Sequence, residues 1–548
     1  MKYLQLFFNI FGNFFLIIRY RKNIDPFKKF ELMLTKNNCV EKDLNKTLLL
    51  APIRVSPISN LFEGLIGYYF KIKGYRVKAL ICDQSVNYCD NVTKVEENKR
   101  LMICSLCKAE QKRFSSIFGF ESISIKKSIK KEEIRLINNI TSNYNFLNNQ
   151  IIINGIDYTK SVTAAVIRYT LKSEIDFEND VDIIRGYLKT ALITNNALEK
   201  IKSEMVIDHI ILSHGIYSQW GTVLDFAKRN KIPSYVWARG YVGQGNLIFG
   251  KDCSYLEDVI KEDKSIYQSI NYKLDDLNEL KEYYNNKRYR LKNINELEYI
   301  NYYDEISLED INTKNLINDM RIKFSKIFGM FTNIPWDGQV FNQSKEFPNT
   351  EVYLKSVIDW FVLNKDCALI IRTHPAELDK EQGGGAEKVT DLIFKIFEKL
   401  PENVLLIDPG NSVTSYDVAE IIDASIVYGS TIGLELAHFG IPVIQAGMFS
   451  TTGKEIVFEA KTKVEMYDFF NLVKLGQIQM SKKMKINALN YLCYWSKYKH
   501  IYDDTVVLDK LRFIQYRFNT IEEFSNSNTL EFVFNKIILN SNITSYAK

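Results

Sequence analysis

The stretch from Ile426 to Gly447, IVYGSTIGLELAHFGIPVIQAG, constrains what this chain can fold into more than any other. Ile426, Val427 and Tyr428 form an apolar, β-prone run. Gly429, Ser430, Thr431 and Gly433 make a turn of small residues, and Leu434 to Phe439 reads as a brief helix. Gly440 suits that helix's C-terminal end, and Pro442 leads into another buried strand. Strand, turn, helix, strand predicts a parallel sheet with helices packed on it. A helix that opens on Ser-Thr-Ile-Gly presents backbone N–H groups without intrahelical partners, together with two hydroxyls. That is an arrangement suited to an anion.

A second apolar strand, Ala368 to Ile371, runs directly into Arg372-Thr373-His374-Pro375. A guanidinium can hold a phosphate through two hydrogen bonds, and an imidazole can donate to a departing phosphate or to a base edge. A surface arginine and a turn-capping histidine would explain either residue alone. Followed by the Gly-Ser-Thr turn about fifty-five residues later in one α/β unit, they predict a phosphate-bearing ligand at the rim of a parallel sheet. Glu435, one turn into the helix, could accept from ribose hydroxyls or simply complement the helix dipole. The candidate donor-binding set is therefore Arg372, His374, Ser430, Thr431, Gly433 and Glu435.

With 548 residues the chain exceeds what one hydrophobic core usually supports. The 71 basic and 66 acidic residues nearly cancel, to a net charge of +5, which argues against a dedicated nucleic-acid binder. Eight cysteines in so long a chain do not make a disulfide scaffold. Four of them, Cys82, Cys89, Cys104 and Cys107, include a C-x2-C pair with zinc-ligand spacing, so a structural zinc is one expectation, and buried free thiols or a redox pair the others. No Walker loop, HExxH or GxSxG motif is present, which argues against an NTPase, a zincin or an α/β-hydrolase.

Residues 1–25 read as an amphipathic helix that opens with the apolar stretch MKYLQLFFNIFGNFFLIIRYRK, whose Leu4, Phe7, Phe8, Phe11, Phe14, Phe15 and Ile18 recur at helical spacing before Arg19, Arg21 and Lys22. Gln5, Asn9 and Asn13 leave its clean run shorter than the ~20 residues a spanning helix needs. An interfacial membrane helix fits the pattern, and a helix packed on the protein's own core is the alternative. Residues 26–320 read as an α/β domain opening β-α-β at Thr47 to Cys82, with a helical insertion over about 90–202. Residues 321–475 read as a second α/β domain, and 476–548 as C-terminal helices. Two α/β domains facing a cleft is the expected architecture. In the first, His214 ends an apolar strand where it would face that cleft as a base or acceptor-binding group. Glu63, in the helix after the first strand, and Asp337, at the start of the second domain, are rival bases.

Several segments resemble the capsule-polysaccharide-biosynthesis type of GT-B glycosyltransferase: Leu80 to Asp83 with the later cysteines, Ser213 to Gly221, Thr332 to Asp337, Ile370 to Glu377, and Tyr428 to Glu435. Together they run from about residue 47 to 470. The His-Pro and Ser-Thr elements are also similar to those of CMP-sugar-using sialyl and Kdo transferases. That resemblance implies that His374 contacts the nucleotide and Ser430 and Thr431 its phosphate. The acidic-acidic-Gly base motif of those enzymes has only partial copies here, Phe62-Glu63-Gly64 and Trp336-Asp337-Gly338. Teichoic acid glycerophosphotransferases share a similar C-terminal pattern, so a CDP-alditol donor stays open. The resemblance implies a GT-B-like fold of two Rossmann-like domains. It implies a CMP-, UDP- or CDP-linked sugar donor, a polysaccharide or lipid-linked acceptor, no catalytic cofactor, and work at the cytoplasmic face of a membrane. A UDP-sugar epimerase and a non-catalytic nucleotide- or sugar-binding protein are the alternatives.

Overall fold

The computed structural model describes residues 27–34, 45–53, 57–146, 150–239, 246–288, 308–336, 343–378, 386–508 and 514–544. The chain divides into two compact units: Met1–Tyr169, Ile175–Asp258 and Lys499–Lys548 form the first, Thr170–Glu174 and Val259–Tyr498 the second. The N-terminal helix expected over 1–25 lies outside the described residues. Among those described, no helix is long and apolar enough to cross a membrane.

The first unit is built on six strands: β1 (Thr47–Ile53), β2 (Arg76–Ile81), β3 (Glu121–Ser124), β4 (His209–Ser213), β5 (Ser234–Arg239) and β6 (Asn246–Lys251). They lie in the order β6-β5-β4-β1-β2-β3, and the short strand Ile501–Tyr502 adds antiparallel beside β6. All pairs from β3 across to β5 are parallel, and β6 alone turns back antiparallel to β5. The two-residue alternation of a strand assigns its faces. Leu48, Leu50, Ala79, Ile211 and Trp237 pack on one side with helix α1 (Pro57–Ile72), through Leu61, Phe62 and Leu65. Leu49, Leu80, Ile210, Leu212 and Val236 pack on the other with helices α2 (Val181–Glu204) and α3 (Ser218–Arg229). Helices on both faces make this a doubly wound unit.

The second unit repeats the plan with β7 (Lys326–Phe331), β8 (Cys367–Arg372), β9 (Val404–Ile407), β10 (Ala424–Val427), β11 (Val443–Gln445) and β12 (Phe458–Glu459). Every pair is parallel, and the order is β9-β8-β7-β10-β11-β12. Numbered within the unit this is 3-2-1-4-5-6, the Rossmann order. Ala368 to Ile371 and Ile426 to Val427 are fully buried, as strands covered on both faces must be. The predicted short helix is α5 (Thr431–His438), between helices α4 (Leu274–Arg288) and α6 (Lys482–Tyr494) in chain order. Gly440 follows α5 at φ +84°, a left-handed conformation that favours glycine at a helix end.

The boundaries differ from those the sequence suggests, for identifiable reasons. The first unit ends at Asp258, well before residue 320, because the charged helical stretch that follows packs on the second unit. There Tyr267 donates to the Lys454 carbonyl at 2.6 Å and its ring meets Tyr491 edge-on at 5.1 Å. The tail divides at Tyr498. Its last helix, Asn528–Ile538, returns to the first unit, with Phe534 against Phe70 at 4.8 Å. Residues 170–174 belong to the second unit, where Ser173 N and Oγ donate to Glu387 Oε2 at 2.8 and 2.7 Å. The insertion over about 90–202 is not wholly helical. It contributes β3, whose Glu-Ser-Ile-Ser sequence lacks the apolar run that marks the inner strands.

Candidate nucleotide site at the switch point of the second sheet

In the second unit the order reverses between β7 and β10, so the loops leaving those two strands diverge. Open parallel sheets place ligands at that point. Three loops leave adjacent strands on that edge of the sheet: the one after β7 with Thr332 and Asn333, the one after β8 with His374, and the one after β10 with Gly429, Ser430 and Thr431.

Ser430 is the N-cap of α5, with extended backbone (φ −150°, ψ 150°), yet its side chain makes no capping bond. Gly433 N bonds back to Ser430 O at 3.1 Å. The Ser430 hydroxyl and the first N–H groups of α5 are thus left for another acceptor, and Thr431 beside them is exposed. Gly433 faces inward: a Cβ there would meet Val427 Cγ2 at 3.2 Å and Val443 Cγ1 at 3.4 Å. Its role is the close packing of α5 on the sheet.

His374 is exposed, and its Nδ1 accepts from Ala376 N at 3.1 Å. Loss of hydration to the surrounding protein and repulsion from Arg372 push its pKa down. Its exposed edge keeps part of its water, and the direction decides the chemistry: the ring is neutral at pH 7. With Nδ1 accepting, the proton resides on Nε2, and His374 is a neutral hydrogen-bond donor.

Arg372 corrects the expectation of a phosphate-gripping guanidinium. It is 2% exposed, and Nε donates to Val413 O (2.7 Å), Nη1 to Thr373 O and Asp408 O (both 2.8 Å), and Nη2 to Asn411 O (3.1 Å). The buried cation is balanced by carbonyl dipoles and ties the loops after β8 and β9 together. Glu435 likewise faces the unit's interior: Lys287 of α4 pairs with it at 3.1 Å and Tyr416 OH donates to it. Its carboxylate is committed to these partners and joins α4 to α5, where a ribose contact was expected. Asp337 lies outside the described residues.

Two residues at the switch point, Thr332 and Asn333, lie in a segment that carries the resemblance but have no role assigned from the sequence. Asn333 Nδ2 donates to Gly429 O, linking the β7 and β10 loops. Its Oδ1, like Thr332 Oγ1, is buried without a hydrogen-bond partner. Asn and Thr after an apolar strand are common loop residues, and the topology is what gives these two a place at the site.

In the first unit the corresponding reversal lies between β1 and β4, and His214 directly follows β4. It is partly exposed and holds a left-handed φ of +56°, a costly conformation for a residue with a Cβ. Its ring stacks on Trp220 (5.1 Å between centroids, 17° between planes), and Ser213 Oγ is hydrogen-bonded to Nδ1. Gly215 follows at φ +67°, where a Cβ would press on Leu224 and Val236 at 3.0 to 3.1 Å. The Ser-His-Gly turn therefore fixes the imidazole on the rim. Glu63 is a correction. It is 3% exposed and accepts from Trp237 Nε1 at 3.0 Å, so it serves the core of the first unit and not its rim.

The four cysteines do not assemble the expected zinc site. Cys104 and Cys107 lie on the helix Arg100–Phe118, where Cys107 Sγ accepts from Gln111 at 3.3 Å, while Cys82 Sγ sits 3.3 Å from Ser85 Oγ. Among the described residues no group of three or more His, Cys, Asp or Glu is placed to hold a metal ion. Burial, with the nearby Cys82, pushes the Cys104 thiol up to about 11, so without a metal it is a protonated thiol.

No family model and no curated protein matches the sequence. Solved structures do align with the chain. The β-Kdo 2,4 transferase KpsC of Thermosulfurimonas dismutans is 12% identical over 58% of this chain and 88% of its own, with a TM-score of 0.32. The N-terminal domain of Candida albicans trehalose-6-phosphate phosphatase is 12% identical over 92% and 99%, with a TM-score of 0.29. The UDP-GlcNAc 2-epimerase of Neisseria meningitidis is 10% identical over 82% and 95%, with a TM-score of 0.25.

Proposed function

We propose that this chain is a nucleotide-sugar glycosyltransferase of GT-B type that extends a surface polysaccharide or glycolipid. One observation carries the reading: at the strand-end edge of a 3-2-1-4-5-6 sheet, the uncapped start of α5 with Ser430 and Thr431 follows β10 at the switch point, and the neutral donor His374 follows β8 on the same edge. In such a transfer the acceptor hydroxyl loses its proton, a new C–O bond forms at the sugar, and the old bond to phosphate breaks with its electrons on the nucleotide. Charge then grows on the phosphate. Preformed N–H dipoles, two hydroxyls and the His374 Nε2 proton stabilise it without reorganising. No cofactor is required in this reading. On the first unit, the rim position of His214 suits it to bind or deprotonate the acceptor. The Phe-rich N-terminal sequence ending in Arg19, Arg21 and Lys22 supports peripheral attachment to the cytoplasmic face of a membrane, where a lipid-linked acceptor is confined.

A donor screen on the purified protein tests the assignment. Sugar transfer from a CMP-, UDP- or CDP-linked donor to a glycan acceptor is expected. Interconversion of a free UDP-sugar without acceptor would make the protein an epimerase. Release of CMP from a CDP-alditol would make it a phosphotransferase. Binding without turnover on any acceptor would make it a non-catalytic binding protein.

A further inference from the structure

Asn333 leaves the central strand β7 at the switch point, and its hydrogen bond to Gly429 O fixes which end of the amide faces the β10 loop. The nitrogen is committed there, so the oxygen is turned elsewhere. That oxygen is buried and has no hydrogen-bond partner. Thr332, 6% exposed, places a second buried and unpartnered oxygen one residue earlier. A buried acceptor without a donor is costly to leave unmade. Here two occur on consecutive residues, and Asn333 is bonded to Gly429 just before α5, whose N-cap side chain is also uncommitted.

The chemistry of the three groups selects a ligand. The N–H groups and hydroxyls at the start of α5 suit an anion. The Asn333 carbonyl oxygen repels an anion and needs an O–H or N–H donor. A molecule that offers a phosphate with a hydroxyl close beside it meets both demands, and a phosphorylated sugar is such a molecule. We propose that Asn333 Oδ1 accepts a hydrogen bond from a sugar hydroxyl adjacent to the bound phosphate, with Thr332 Oγ1 as its second polar contact. This deepens the nucleotide-sugar reading and rests on it for the identity of the phosphate. Both the nucleotide's ribose and the transferred sugar carry hydroxyls beside the phosphate, and the test separates them.

The experiment is calorimetric binding to the full chain and its Asn333→Ala variant. The probes are whichever of CMP, UDP and CDP binds most tightly, its 2′,3′-dideoxy form, and a matching nucleotide sugar. A single lost hydrogen bond of this kind is expected to weaken binding about 10-fold. If the ribose is read, Asn333→Ala weakens the nucleotide and leaves the dideoxy form unchanged. If the transferred sugar is read, the nucleotide sugar weakens further than the nucleotide. Either supports the assignment. An equal loss for all three probes would mean that Asn333 only places the Gly429 loop, and no loss would mean that its oxygen meets nothing; both overturn it. Thr332→Val keeps the residue's shape, so it remains informative if Asn333→Ala unfolds, and about a three-fold loss in the same pattern is expected. A flat response from Thr332→Val in that case overturns the proposal. Wild-type protein that shows the pattern without transferring sugar refutes the transferase reading alone. Wild-type protein that binds no nucleotide refutes both.

Discussion

Glu377 couples the His-Pro turn to pH. It lies in the turn Pro375–Leu378, 8% exposed, with Oε2 accepting from Val389 N at 3.1 Å and Oε1 buried without a partner. Burial raises its pKa from an ordinary 4.5 to about 7. An acid whose folded pKa lies above its unfolded one binds more protons in the fold across that interval. Stability is therefore highest below pH 4.5, falls as pH rises through 4.5 to 7, and stays low above 7. At about 1.4 kcal/mol per pH unit, the cost at pH 8 is on the order of 3 kcal/mol. Glu377→Gln removes the charge while its amide oxygen can still accept from Val389 N. The variant should exceed the wild type in stability by up to about 3 kcal/mol at pH 8 and by under about 1 kcal/mol at pH 5. Because a chain of two units need not unfold in one step, the assay is urea unfolding read by hydrogen exchange on the β8 amides, which reports on the second unit. A difference between the two proteins that is the same at pH 5 and pH 8 would refute the reasoning, since it would place the folded carboxyl at its ordinary pKa.

Other perturbations follow from the same geometry. Replacing His374 by Ala, or Ser430 and Thr431 together by Ala, should lower turnover by about 10²-fold or more, and His374→Gln, which restores an N–H donor, should recover part of it; wild-type rates in the Ala variants would dismiss the phosphate assignment. Arg372→Met leaves carbonyls of Thr373, Asp408, Asn411 and Val413 without their donor and should destabilise the second unit by several kcal/mol, on the order of 3–5; an unchanged urea midpoint would contradict that role. Deleting residues 1–22 should release the protein from anionic vesicles while leaving activity on a soluble acceptor largely intact, and an unfolded truncation would assign those residues to the core.

What could be read from the sequence follows burial. The inner strands of both sheets are covered on both faces and appear as short apolar runs, so TLLLA, HIILS, ALII and IVY were all legible as strands. The Gly-Ser-Thr turn before α5 was legible because only small residues let the helix start so close to the strand. What a side chain touches was not. Arg372 and Glu435 have the right chemistry at the right strand and helix ends, but their donors and acceptors are used by carbonyls and by Lys287 and Tyr416, partners far away in sequence. Glu63 follows the same rule, because α1 turns it toward Trp237. The cysteine spacing suggested a metal, yet spacing in sequence does not fix where side chains meet, and among the described residues no three such groups are placed to hold an ion. The unit boundary at Asp258 was hidden because helices with mixed charge carry no mark of the surface they will pack on.

Isothermal titration of the wild-type protein with CMP, UDP and CDP, repeated on the Ser430→Ala/Thr431→Ala variant, tests the nucleotide site most directly. The account predicts that one of the three nucleotides binds and that the variant weakens it by at least about 10-fold, as expected when charge-assisted hydrogen bonds to phosphate are removed. Absence of binding by all three, or binding that the double variant leaves unchanged, would contradict it.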